Sequence, residues 1–207
     1  MAALLEDYRR WRALGEGGLP ANPVGWLVTT SLRPWGRDTI TVDATPDAAP
    51  SDFTLPQRRG DRPAIAPYPI PHRELHTVTD PDRIRALAEH VAAFGVGDSG
   101  PMVTSTSRFE RRGDALFVRD RATASPWIAH ARGEIAHVHG TQGSLHVVAD
   151  PADVPEIIRR GWGERHPLAG RPIIGLPDSY LFLYAPRDAT DSQQLQRIID
   201  RVVATAR

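Results

Sequence analysis

Residues 134–148 read Glu134-Ile-Ala-His137-Val-His139-Gly140-Thr-Gln-Gly143-Ser144-Leu-His146-Val-Val148, two short β-prone runs on either side of a glycine-bounded turn. Side chains alternate across a strand, so each run separates a polar side from an apolar one. His137 and His139 fall opposite Ala136 and Val138, while Ser144 and His146 alternate with Leu145 and Val147. If Gly140-Thr-Gln-Gly143 closes a regular two- or four-residue loop, His139 sits opposite Ser144 and His137 directly opposite His146. Three imidazoles then share one face of an antiparallel pair, and the other face is suited to a core. A loop of odd length would break the parity and carry His146 away.

The same reading extends outward. Segments 102–109 and 115–119 read as strands around Arg111-Arg112-Gly113-Asp114, segments 24–31 and 38–43 as a further hairpin interrupted by Pro34 and Gly36, and 179–185 as a final strand. Leu4, Leu5, Tyr8, Trp11 and Leu14 recur at helical spacing, which predicts a helix over 3–14 that stops at Gly15, Gly17 and Gly18. Asp80-Pro81 opens a second helix, with Ile84, Leu87, Ala88 and Val91 on one stripe. Asp150-Pro151 opens a third that runs to Arg160, and Asp188 to Ala204 forms a closing helix with Leu195, Ile198, Ile199 and Val202 inward. Residues 44–71, rich in Pro, Asp and Ala, read as a long loop or lid that either covers a pocket or wraps the surface. These segments predict a single α+β domain over 1–207, an antiparallel hairpin-rich sheet packed with three to four helices, residues 1–20 being an N-terminal helix and linker.

Composition narrows the chemistry. Twenty-five basic and twenty-five acidic residues cancel, so no charge imbalance points to nucleic acid or an anionic membrane. Every basic residue is arginine, a bias expected of a GC-rich, bacterial genome, and the lack of lysine rules out Schiff-base and P-loop lysines. With no cysteine, thiol nucleophiles, thiolate metal sites and disulfides are excluded too. No apolar run of membrane-spanning length occurs, which predicts a cytoplasmic protein without a membrane anchor. Gly-x-Gly-x-x-Gly, Walker A, His-Glu-x-x-His and Gly-x-Ser-x-Gly motifs are absent.

Chemistry is therefore expected where histidines converge. His137, His139 and His146 suit Zn(II) or Fe(II), with Glu134 or Glu164 as carboxylate. Equally, one histidine acts as general base toward an acidic enol or phenol, while Arg165 or Arg187 balances the anion. The plain alternative is histidines bonded only to backbone or solvent. Trp162 and His166 lie in the Gly- and Pro-rich stretch Gly161-Trp-Gly-Glu-Arg-His-Pro-Leu-Ala-Gly170, where Trp162 either stacks on a planar substrate or plugs a helix end. Arg187 either binds an anion or pairs with Glu134, beside an N-cap at Asp188. Thr104-Ser105-Thr-Ser-Arg108 either lines a polar pocket or forms the solvent face of a strand. His72, His76, His90 and His130 show no comparable clustering and read as structural or surface residues.

Four stretches, Glu134-Ile-Ala-His-Val-His139, Ser144-Leu-His146, Gly161 to Gly170 and Phe182-Leu-Tyr-Ala-Pro-Arg187, resemble the fungal luciferase family in order and spacing. Arg62-Pro-Ala-Ile65 and Ser105-Thr-Ser-Arg-Phe-Glu110 resemble it more loosely, so the similarity runs from about Val24 to the C-terminal helix. The resemblance implies an oxygenase that adds O2, as co-substrate, to 3-hydroxyhispidin or a similar aromatic or pyrone substrate. It further implies an endoperoxide, release of carbon dioxide with light, and no flavin or other cofactor; a divalent metal is the alternative. On that basis His137, His139, His146 and His166 would supply the base and its support, and Arg187 or Arg165 would stabilise the enolate. Trp162, Tyr184, Glu134, Ser105 and Arg108 would contact the substrate. A metal-dependent enzyme on the His137, His139, His146 face and a non-catalytic module for small aromatic ligands are the competing readings.

Overall fold

The computed structural model describes residues 1–42, 51–97 and 99–207. Six strands, β1 (Met102–Thr106), β2 (Asp114–Val118), β3 (Glu134–Val138), β4 (Leu145–Val148), β5 (Gly163–Arg165) and β6 (Tyr180–Leu183), form one sheet in the order β1-β2-β3-β4-β6-β5. Every neighbouring pair is antiparallel. Six α-helices accompany it: α1 (Ala2–Ala13), α2 (Pro23–Leu32), α3 (Pro81–Ala93), α4 (Pro126–His130), α5 (Val154–Arg159) and α6 (Ala189–Ala204). The result is a small α+β domain, with two more helices than the upper number expected from the sequence.

The central hairpin has the anticipated register. Ala136 pairs with Val147, His137 with His146 and Val138 with Leu145, and the His139 N–H donates to the Ser144 carbonyl across a four-residue loop. Even loop length preserves parity, which keeps the three histidines on one face. Between β2 and β3 the pairing slips: Leu116 faces Ala136, but Phe117 faces Glu134, so Ile135 is an extra residue in a β-bulge. Ile135 and Ala136 both enter the apolar core, and Glu134 is turned onto the face of His137. Strict alternation would have put residues three apart on opposite faces.

One face of the sheet carries Leu116, Ile135, Ala136, Leu145, Val147 and Leu181 against α3 and α6. Asp80 and Asp188 cap these two helices through their side chains, and α6 buries Leu195, Ile198, Ile199 and Val202. The histidine face is covered instead by the Pro-rich segment, whose described part crosses it as a strap. The strap is tied to the end of α5 by a hydrogen bond from Arg58 N–H to the Arg160 carbonyl, and it closes on itself through Leu75 N–H to the Ala64 carbonyl. Residues 44–50 of the expected loop lie outside the described residues.

The expected hairpin over 24–31 and 38–43 is not formed. Residues 23–32 are α2, because Asn22 accepts from the N–H groups of Val24 and Gly25 and Pro23 occupies the first turn, where its missing N–H costs nothing. The Asn-Pro cap is a stronger local signal than β-branched content. Residues 38–41 form a turn around Asp38, which accepts from Ile40 and Thr41 N–H. The strand expected over 102–109 ends at Thr106. On α1, Leu4 and Leu5 are exposed, whereas Trp11 is buried with Ala66 and Tyr68 and donates from Nε1 to the Ile70 carbonyl. The two N-terminal helices thus brace the strap at residues 66–71.

Candidate active site

Five imidazoles gather beneath the strap. Ring centroids of His137, His139 and His146 lie 5.0–5.4 Å apart, and those of His72 and His166 lie 5.6 Å from that of His146. All five residues are buried. Inclusion of His72 corrects the expectation that it is structural or surface; it arrives from the strap, far away in sequence, so local clustering could not reveal it. Of the other three histidines, His90 pairs with Asp200 at the surface, and His76 and His130 also lie outside the cluster.

The donors and acceptors around each ring fix its tautomer. Arginine can only donate, so the 3.0 Å contact from Arg73 Nη1 makes Nε2 of His139 an acceptor and leaves the proton on Nδ1, 2.9 Å from Ser144 Oγ. A carbonyl can only accept, so Nδ1 of His146, 3.1 Å from the Leu181 oxygen, carries its proton. Nδ1 of His137 faces a carboxylate, Glu134 Oε1, at 2.7 Å. His166 is different: its Nδ1 accepts from Leu168 N–H, so the backbone of its own turn fixes the ring. His72 places Nε2 3.2 Å from Glu164 Oε1 and has no hydrogen-bond partner at Nδ1 among the described residues.

Burial, reinforced by the Arg73 charge against the opposing pull of Glu110, holds His139 near a pKa of about 3. His146 is pushed well below its ordinary value by burial and by the other imidazoles. Burial acts to raise Glu110, but the charge of Arg73 and the hydrogen bonds it donates outweigh this and keep the carboxyl well below its usual range. His139 and His146 are therefore held neutral beside a tightly bound Arg73–Glu110 pair.

A cavity of about 310 Å³ opens onto this face, at the small end of the range for ligand sites. His72, His146, His166, Tyr180 and Glu110 belong to its wall, and Arg108, Arg111 and Arg132 surround it with positive charge. None of these three guanidiniums has a carboxylate partner among the described residues. Arg111 and Arg132 also adopt left-handed backbone, φ 59° and 60°, which side chains with a Cβ disfavour. Strain retained at a cavity points to a use for the side chain. Arg132→Gly should therefore raise stability by about 1 kcal/mol, or roughly 2–4 °C, while weakening binding of an anionic ligand several-fold. Thermal melts and ligand titration would check both; a loss of stability with unchanged affinity would remove Arg132 from the site.

The remaining sequence candidates are distributed more widely. Glu134 is buried behind His137, and Arg108 contributes its N–H to Glu134 and its side chain to the cavity. Tyr184 donates to Glu164 Oε2 at 2.8 Å and accepts from Arg62, so it sits behind the His72–Glu164 pair; burial, then the Glu164 charge, raise its pKa. Trp162 is in the core and donates to the Pro56 carbonyl, the position of a plug at the end of α5. Arg165 donates to the Thr41 carbonyl and lies 3.5 Å from Asp178. Arg187 pairs with Asp191, not with Glu134: its Nε donates to Asp191 Oδ2 at 2.8 Å, in the first turn of α6. Ser105 is exposed on β1, the solvent-face arrangement. Ser107, Arg73 and Glu110 were missed. Ser107 and Glu110 belong to the Ser105–Glu110 stretch, and Ser107 donates to Glu134 at 2.9 Å.

A model described as a luciferase domain matches residues 132–201, the part that carries the histidine hairpin, β5 and β6. The chain is similar to fungal luciferases. It is 28% identical to the luciferase of Neonothopanus nambi, across 94% of this chain and 78% of that protein. Identity is 27% to the luciferase of Armillaria ostoyae and 26% to that of Armillaria gallica, with the same coverage. No solved structure matches the chain.

Proposed function

We propose that the protein is a luciferase-type oxygenase that adds O2 to the enol of a flat pyrone or phenolic substrate bound between the arginines and the histidine face. One observation above all supports this: a cavity-lining histidine, His72, has a buried carboxylate at one nitrogen and, among the described residues, no hydrogen-bond partner at the other. Such a group accepts a proton from the enol hydroxyl, and Glu164 stabilises the cation that results. The enolate is then itself the reductant. Its carbon bonds to O2, the peroxide closes on the lactone carbonyl, and the endoperoxide expels carbon dioxide that retains one oxygen atom. No flavin is needed, since both electrons come from the substrate. Arg108, Arg111 and Arg132 supply the counter-charge assigned in the sequence reading to Arg165 or Arg187. His166, fixed by the backbone, is a positioning residue.

The expected result with 3-hydroxyhispidin is oxygen uptake matched one to one by carbon dioxide, with photon counting run in parallel. Saturable binding without oxygen uptake would instead identify a ligand-binding module, and absence of binding would discard this substrate class.

A further inference from the structure

His137, His139 and His146 share a property that proton chemistry does not require. Each Nδ1 proton is taken by a fixed acceptor: Glu134 at 2.7 Å, Ser144 at 2.9 Å and the Leu181 carbonyl at 3.1 Å. Holding one imidazole nitrogen in this way orients the ring and commits the other nitrogen as a lone pair, as metal-binding histidines require. Nε2 of His137 is buried with no hydrogen-bond partner among the described residues. One ligand nitrogen from each ring lies within 4.8 Å of the other two. Glu110 Oε1 stands 3.4 Å from Nε2 of His139 and 4.0 Å from Nε2 of His137, so a carboxylate faces the same point.

We propose that the Nε2 atoms of His137, His139 and His146, with Glu110 as carboxylate donor, bind a divalent first-row transition-metal ion. Imidazole and carboxylate suit such ions, and no thiolate is available to favour another class. Nitrogen ligands bind at about 2.0–2.1 Å, so rings this close converge on one ion with about 1 Å of inward movement or less. Arg73 is the cation now at Nε2 of His139. It also bonds to Glu110 through both oxygens and to the carbonyls of His72 and Glu16, so yielding that single nitrogen leaves four bonds in place. The Arg73–Glu110 pair carries no net charge, which limits its repulsion of an incoming ion. Because Glu110 and His146 also line the cavity, the ion would adjoin the substrate there and polarise an enolate oxygen. That role rests on the oxygenase reading; the binding does not.

Untagged protein, purified without chelator, should contain close to one equivalent of a single transition metal by elemental analysis. Chelator-treated protein titrated with Co(II) should develop visible d–d absorption saturating at one equivalent, and its melting temperature should rise by roughly 5–10 °C when the ion stands at 100 times its dissociation constant. His137→Ala and His146→Ala should abolish the absorption, and His130→Ala should leave it intact. If the alanine variants do not fold, Glu110→Gln, which keeps the shape, should weaken Co(II) binding at least tenfold. Metal-free protein as isolated, together with no absorption and no thermal shift for the wild-type chain, would overturn the proposal. Oxygen uptake that continues unchanged in protein verified to be metal-free would deny the ion any part in turnover and leave the oxygenase reading standing. Stoichiometric Co(II) binding without oxygen uptake would do the reverse.

Discussion

Glu134→Ala should lower stability by about 3–5 kcal/mol, a fall in melting temperature of roughly 6–20 °C for a chain of this size. The carboxylate is 1% exposed and takes three donors at once: Ser107 Oγ at 2.9 Å, Arg108 N–H at 2.7 Å and His137 Nδ1 at 2.7 Å. Removing it strands a backbone N–H and a ring N–H without water or partner, and each buried orphan costs about 1–3 kcal/mol. Ser107 suffers least, since its hydroxyl can turn and already accepts from Glu110 N–H. Glu134→Gln should recover part of the loss, because one amide oxygen still serves Ser107 and His137 while the amide nitrogen faces the Arg108 N–H. Denaturant melts would measure both variants, and an alanine protein within about 0.5 kcal/mol of the parent would show that the bulge is not held by this residue. The same substitution frees the His137 ring, so turnover should fall even in the fraction that remains folded.

The bulge also marks the boundary of what the sequence reveals. Alternation in 134–148, an even loop and the apolar set Ala136, Val138, Leu145 and Val147 are local features, so the facing of His137 and His146 is legible in the residues themselves. Whether Glu134 joins that face depends on a residue slipped against β2, a tertiary event with no local signature. His72 is a second case. It reaches the cluster because α1 and α2 brace the strap through Trp11, Tyr68 and Asp7, contacts between segments separated by about sixty positions. Trp162 and Arg187 sit in stretches that invited a catalytic reading, yet one side chain fills the core and the other is held by Asp191 on the next turn of α6. Residues shared between similar chains mark packing as readily as chemistry, and only burial and partners separate the two. At 23–32 two local signals compete, and the Asn22-Pro23 cap outweighs β-branched content because the cap satisfies orphan N–H groups and propensity alone does not.

His72→Phe should cut kcat by about 10²–10⁴-fold and leave KM within a few-fold. The ring replaces imidazole by a shape that keeps the tilted stacking on Phe182, now 4.4 Å between centroids, so the sheet face should persist. Glu164 loses one donor but retains the Tyr184 hydroxyl at 2.8 Å, which confines the stability cost to about 1–3 kcal/mol. Structural damage would move KM and kcat together, whereas loss of a proton acceptor moves kcat alone. His72→Ala provides the sharper comparison: it leaves room at the cavity wall, and added imidazole should restore turnover in a concentration-dependent way without altering the parent enzyme. Metal content should match the parent in both variants, since His72 is none of the proposed ligands and its Nε2 is engaged by Glu164. Glu164→Gln should fall between these extremes, because an amide still orients the ring but cannot stabilise its cation. Turnover of His72→Phe within about threefold of the parent would rule out His72 as the proton acceptor.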